Sequence, residues 1–219
     1  MPIMRARNRA LCLPPNYVAN LTPKHFDDRS FEDEWQKEVY ESAAALFQEG
    51  GFDSVCDIGC GSGFKFVKYF GEAHTIGYEV EPCLSHLRAC WPEREWRDAA
   101  DLDAGALAVD LIVCSDVIEH LLEPDHLLDT LSRSKAKFVV ISTPELRLLT
   151  QAGLSLLSGP PANPHHVNEW TARRFAAFVS RHLDVVSTTI TNRNQCTQMV
   201  VAKPKRGGSD NAVSGRRVT

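Results

Sequence analysis

Apolar residues along the chain follow two rhythms. Nearly continuous apolar runs occupy residues 52–58, 73–80, 110–115 and 137–143. Runs this short, bounded by polar or glycine-rich stretches, read as strands covered on both faces. Glu95-Trp96-Arg97-Asp98 reads as a further short strand, leading into a loop through Leu102. Between the strands the spacing turns helical. Trp35, Val39, Tyr40, Ala43, Ala44 and Phe47 mark a helix over 31–48 that Gly50-Gly51 ends. Residues 64–70 and, after Pro82, 83–90 read as two more helices. Others are expected through Leu127-Leu128 to Ser134, over 146–157, and over 172–183. The last has Thr171 as N-cap and Phe175, Phe178 and Val179 facing inward. Residues 185–190 and 199–202 read as two closing strands, an antiparallel pair at a sheet edge. Strands alternating with helices predict an α/β fold: a mostly parallel sheet with helices on both faces. Residues 1–30, with Pro2, Pro14, Pro15 and Pro23, show no clean period and are expected to form an irregular arm. The tip of the arm, Tyr17 with His25-Phe26-Asp27-Asp28, either lines a substrate pocket or covers a core edge. A main domain is expected over 31–203, and a basic, Gly- and Ser-rich tail over 204–219 reads as disordered.

The first strand runs into Asp57-Ile58-Gly59-Cys60-Gly61-Ser62-Gly63 and then directly into a helix. Glycines between a strand and a helix let the backbone take positive φ and approach a ligand closely. The spacing is tighter than the dinucleotide pattern G-x-G-x-x-G, which disfavours an NAD-dependent oxidoreductase. With Asp57 two residues ahead, the segment resembles the D-x-G-x-G-x-G motif of class I S-adenosylmethionine (SAM)-dependent methyltransferases. The resemblance extends over about residues 31–202. It implies a Rossmann-like, seven-stranded methyltransferase sheet, SAM as cofactor and S-adenosylhomocysteine (SAH) as product. Asp57, Gly59, Gly61 and Gly63 are then candidate cofactor residues. Glu79 ends the second strand roughly 20 residues after the turn, where an acid bonds ribose hydroxyls in nucleotide-binding α/β folds. By the same resemblance Asp98, with Asp101 as competitor, is placed to accept the adenine amino group. Ser115 ends the fourth strand, where the methyl donor meets its acceptor.

Composition narrows the partners. The chain has 219 residues and a formal net charge of −4, so no global basic field favours a polyanion, although a local patch would suffice. Nucleic acid is disfavoured as substrate. No apolar run approaches the ~20 residues of a membrane span. The start of the chain is a poor signal peptide, and the seven cysteines contain no C-x-x-C pair. Reduced thiols in a cytoplasmic protein are expected, with no zinc site.

Chemistry-bearing residues follow the fourth and fifth strands. Asp116, Glu119 and His120 share one face if residues 116–120 form a helical turn. His165-His166 follow the proline-rich loop at 159–164 and lead into Asn168-Glu169-Trp170-Thr171. An oxygen acceptor must lose a proton during methyl transfer, and His166, His120 and His165 are the candidate bases. The pattern E-H-L followed by H-x-x-E-W-T is similar to bacterial methyltransferases that resemble the ubiquinone-biosynthesis O-methyltransferases. It also resembles the small-RNA 3′-terminal 2′-O-methyltransferases, with their E-x-x-E-H and H-x-F-E-W-T-R motifs and bound divalent cation. Here Asp116 stands at the first glutamate position and Asn168 replaces the aromatic residue. That resemblance implies Asp116, Glu119, His120 and His166 as the ligands of a cation that is possible but not expected. The favoured reading is transfer of a methyl to a hydroxyl of a small molecule or glycan. Metal-dependent RNA 2′-O-methylation, N- or C-methylation and a non-catalytic SAM-binding module are the alternatives. The oligomeric state is not legible.

Overall fold

The computed structural model describes residues 2–29, 35–105 and 107–205. The parallel strands are β1 (Ser54–Ile58), β2 (His74–Glu79), β3 (Glu95–Asp98), β4 (Leu111–Ser115) and β5 (Phe138–Pro144). Two longer strands, β6 (Leu183–Asn192) and β7 (Thr197–Pro204), close the sheet. The order is β3-β2-β1-β4-β5-β7-β6. β7 lies antiparallel to β5 and carries β6 antiparallel on its outer edge, as the two closing strands predict. Strand order reverses between β1 and β4, which pair in parallel through Val55–Leu111, Cys56–Ile112 and Asp57–Val113. In such sheets the crevice at the carboxyl ends of the strands flanking the reversal is the place for a ligand.

Residues alternate between the two faces along each central strand. Val55, Leu111, Val113 and Val140 pack under α2 (Lys37–Glu49), α3 (Phe64–Phe70) and α4 (Cys83–Cys90). Cys56, Ile58, Ile112, Cys114 and Ile141 face α5 (Pro124–Ser132) and α7 (Ala172–Val179). Trp170 is completely buried there, stacked 5.6 Å from Phe178 and donating its indole N–H to the Leu11 carbonyl at 2.8 Å.

The N-terminal arm departs from its expected irregular form. Residues Pro2–Ala10 form a helix, α1. Its one buried residue is Asn8, whose amide donates to the Tyr17 carbonyl at 2.8 Å. Leu11, Leu13 and Tyr17 then enter the core, so the arm completes one face of the domain down to Tyr17. The helix expected over 146–157 is shorter, α6 (Leu146–Gln151), because Gly153 at φ 72° breaks it. The expected start of α2 at residue 31 and most of the basic tail lie outside the described residues. All seven cysteines are unpaired, and no described helix is long and apolar enough to cross a membrane.

Candidate active site

A cavity of about 1060 Å³ opens at the carboxyl ends of β1, β2 and β4. Ile58, Gly59 and Cys60 form part of its floor, Glu79 and Val80 one side, and residues 115–117 and 119–121 the other. The loop bearing Asn163, His165 and His166 supplies the rim, and Phe26 and Asp28 of the N-terminal segment lie across it.

Gly59, Gly61 and Gly63 all take positive φ, at 75°, 54° and 74°. A Cβ on Gly59 would collide with Val117, and one on Gly61 with the Asp28 carboxylate, so the turn is closed to any side chain. Beneath it, Asp57 is fully buried, with Tyr40 Oη donating to Oδ2 at 2.9 Å and Oδ1 without a partner among the described residues. Burial pushes the Asp57 carboxyl up to about 7. Glu79 reaches back across the turn: its Oε2 accepts the Gly61 N–H at 2.7 Å and its Oε1 the Val80 N–H at 2.8 Å. Burial also raises Glu79 and Asp28. Three carboxylates thus face one poorly solvated turn, which suits a cationic ligand. SAM, with a sulfonium and an ammonium, fits both the cradle and the charge.

Asp98 does not line the cavity among the described residues. Its Oδ1 accepts the Ala100 N–H at 2.8 Å and caps a short 3₁₀ turn, while Ala99 and Leu102 line the cavity instead. Asp101 does not line it either. Ser115 does, sharing a 2.8 Å hydrogen bond with the Ser142 hydroxyl.

After β4 the chain does not continue as one helical turn. Asp116 takes φ 54°, and the 3₁₀ turn starts only at Ile118. The left-handed residue is held by Ser142, which donates to Oδ1 at 2.6 Å, and by Gln36 Nε2, 2.8 Å from Oδ2. Gln36 and Cys196, also at positive φ, line the same cavity. Such strain persists where surrounding structure over-determines it, often at functional sites.

Asp116 therefore separates from its expected metal partners. Its oxygens are engaged by Ser142 and Gln36, whereas Glu119, His120 and His166 each offer a ligand atom within 4.8 Å of the others. Glu119 is completely buried, and neither carboxylate oxygen has a hydrogen-bond partner among the described residues. Burial, aided by the Asp116 charge, raises its carboxyl well above the usual range. Both histidines have Nδ1 engaged. His166 Nδ1 lies 2.8 Å from Glu169 Oε1, and His120 Nδ1 lies 2.9 Å from the His165 carbonyl oxygen. These acceptors hold the proton on Nδ1 and leave Nε2 as the ligand atom of each ring, the second-sphere pattern of metal-ligating histidines, although on His166 a cation would have to replace the hydrogen bond that Nε2 accepts from the Asn163 amide. Burial lowers His120 to about 4, keeping it neutral as a ligand must be. His166 Nε2 meanwhile lies 3.0 Å from the Asn163 amide nitrogen. A buried carboxylate that has no hydrogen-bond partner among the described residues and is flanked by two imidazoles fits a divalent cation.

His165 stands apart from this trio, its Nδ1 held 3.1 Å from the Lys24 carbonyl. Phe26 packs on His120 at 6.2 Å and edge-on against His165 at 5.2 Å. Of the expected pocket tip, His25, Phe26 and Asp28 line the cavity, while Tyr17 belongs to the core and Asp27 pairs with Arg29 at 2.7 Å. Sequence reasoning assigns no role to Tyr40, Gln36 or Glu169. Glu169 stands three residues after His166, and that spacing is the one signal that points to it.

Residues 13–195 match the model of a methyltransferase domain family, and the chain belongs to that family. The fold and site define a SAM-dependent methyltransferase, with SAM as its cofactor. Solved structures share the fold. Magnesium protoporphyrin IX methyltransferase (ChlM) of Synechocystis PCC 6803, bound to SAH, aligns with TM-score 0.58 at 18% identity over 77% of this chain and 82% of its own. The N-methyltransferase NodS of Bradyrhizobium japonicum, also with SAH, gives 0.58 at 16% over 93% and 98%. The small RNA methyltransferase HEN1 gives 0.62 at 22% over 84% of this chain, but only 27% of its own length. No curated protein sequence matches the chain.

Proposed function

We propose that the chain methylates a hydroxyl of a small-molecule or glycan acceptor, with Glu119, His120 and His166 holding a divalent cation beside the transferred methyl. The observation that carries this reading is the buried Glu119 carboxylate, without a hydrogen-bond partner among the described residues, converging with two imidazole nitrogens. When bound, the cation supplies Lewis-acid polarisation that eases loss of the hydroxyl proton. The protein does the rest by alignment. Glu79 holds the cofactor ribose, Asp57 and the glycine turn hold its amino-acid end, and Ser115 flanks the reacting carbon. The acceptor oxygen bonds to the methyl as the C–S bond breaks, its proton passes to solvent, and the sulfonium leaves as the neutral thioether of SAH. Glu169 and the His165 carbonyl keep the two imidazoles in the tautomer that presents Nε2.

A second reading takes the terminal ribose of an RNA as acceptor. It is favoured by the H-x-x-E-W-T segment and by the structural likeness to HEN1. The test is a product screen with labelled SAM against sugar nucleotides, phenols and short RNAs, with EDTA and then Mn²⁺ added. Loss of turnover in EDTA and recovery with Mn²⁺ supports the cation. Turnover unaffected by EDTA, lowered roughly 10²–10⁴-fold by His166→Ala, would instead make His166 a general base.

A further inference from the structure

Away from the cavity, arginines from three separate elements line one groove of about 790 Å³: Arg5 and Arg9 from α1, Arg147 from α6, and Arg173 and Arg174 from α7. No acidic residue lines it. Arg5 and Arg9 stand one helical turn apart and are exposed, as are Arg147 and Arg173. None of these four makes an ion pair or side-chain hydrogen bond among the described residues. Arg174 is fixed by donating to the Cys12 carbonyl at 2.9 Å. Thr171 lies in the groove with no capping hydrogen bond from its hydroxyl. The nearest acid in sequence, Glu145, is buried and spends its oxygens on the Leu148 and Ala172 N–H groups. Five guanidinium groups gathered without a carboxylate repel one another, and in a chain of net charge −4 their clustering does not follow from general basicity.

We propose that this groove is a binding site for linked phosphate groups. Guanidinium forks match phosphate oxygens bidentately, and several of them on one wall suit two or more phosphates better than one. The ligand carries two or more neighbouring phosphates, either the diphosphate of a nucleotide-linked small molecule or the successive phosphates of a phosphodiester chain. The groove and the segment after His166 are both contacted by α1. Arg7, between Arg5 and Arg9 on α1, turns the other way, donating to Asn168 Oδ1 at 3.1 Å two residues beyond His166.

The test is binding of inorganic tripolyphosphate to the full chain by calorimetry, at low and at physiological salt. Saturable binding that weakens with salt is expected. The pair Arg5→Glu with Arg173→Glu should weaken it roughly tenfold or more, and Arg147→Glu likewise. SAM affinity, measured on the same samples, should stay unchanged, which shows that the variants fold and keeps this site independent of the catalytic reading. Displacement of tripolyphosphate by a nucleoside diphosphate sugar assigns the small-molecule source, and displacement by a single-stranded oligonucleotide assigns the chain. Absence of saturable tripolyphosphate binding overturns the proposal, as does binding that the charge reversals leave intact. Binding to anionic vesicles without binding to tripolyphosphate also overturns it, and makes the groove a membrane-facing surface.

Discussion

Asp57→Asn separates the cost of the buried carboxylate from its use. In the folded protein without ligand, burial raises Asp57 from its ordinary 3.8 to about 7. Below pH 3.8 it is protonated in both states and contributes nothing to the pH dependence. As pH rises, the unfolded chain loses this proton first while the folded one keeps it. Stability therefore falls at up to about 1.4 kcal/mol per pH unit until the folded group also ionises. Across roughly three pH units the loss is about 4 kcal/mol, complete above pH 8. Asparagine keeps the Tyr40 hydrogen bond and removes the titration. The urea-derived stability of the variant should exceed that of the wild type by a few kcal/mol at pH 8 and converge with it near pH 4. SAM has the opposite effect on the wild type, because a cation near the turn favours the ionised carboxylate. Binding near pH 7 should release a fraction of a proton, measurable by calorimetry in buffers of different ionisation enthalpy, and the variant should release less. Parallel stability profiles for the two proteins between pH 4 and 8 would refute the reasoning.

Other substitutions probe other contacts. Glu79→Ala should weaken SAM by about 1.5–3 kcal/mol in calorimetry while circular dichroism stays unchanged, through loss of hydrogen bonds to a charged acceptor. Gly61→Val should abolish SAM binding, since the new side chain meets Asp28 and requires positive φ. Glu119→Gln should abolish Mn²⁺ binding, read by electron paramagnetic resonance, while the protein without metal becomes more stable near pH 8, because the unfolded chain no longer gains by losing a proton that the buried carboxyl holds more tightly. Trp170→Ala should cost roughly 3–5 kcal/mol in urea melts, by opening a cavity against Phe178 and leaving the Leu11 carbonyl unpaired.

Strands buried on both faces announce themselves as apolar runs, which is why β4 and β5 fall within a residue of their expected bounds. Pro82 and the spacing after it place α4 at 83–90, as observed. By contrast α1 gives no hydrophobic period, because Ile3 and Met4 are exposed and the one buried position is an asparagine. At the site, local spacing places Gly59, Glu79, Ser115, Glu119, His120 and His166 on the cavity wall. It does not give how each side chain is finally engaged. Asp98 Oδ1 accepts from the backbone two residues on, a local cap, whereas Asp116 leaves the helical face because distant Ser142 and Gln36 hold it in a left-handed conformation. Neither partner of Asp116 is close in sequence, so no local pattern encodes that pairing.

The N-terminal segment reaches both ends of the cavity. Within three residues, Phe26 packs on His120 at the rim and Asp28 lies over Gly61 at the turn. Cys83 fixes the latter, its thiol 3.4 Å from Asp28 Oδ1. Burial lowers His120 to about 4, while Asp28 adds charge beside Glu79 and raises that carboxyl further. One short stretch of chain thus contributes to both the acidic turn and the histidine rim of the same cavity.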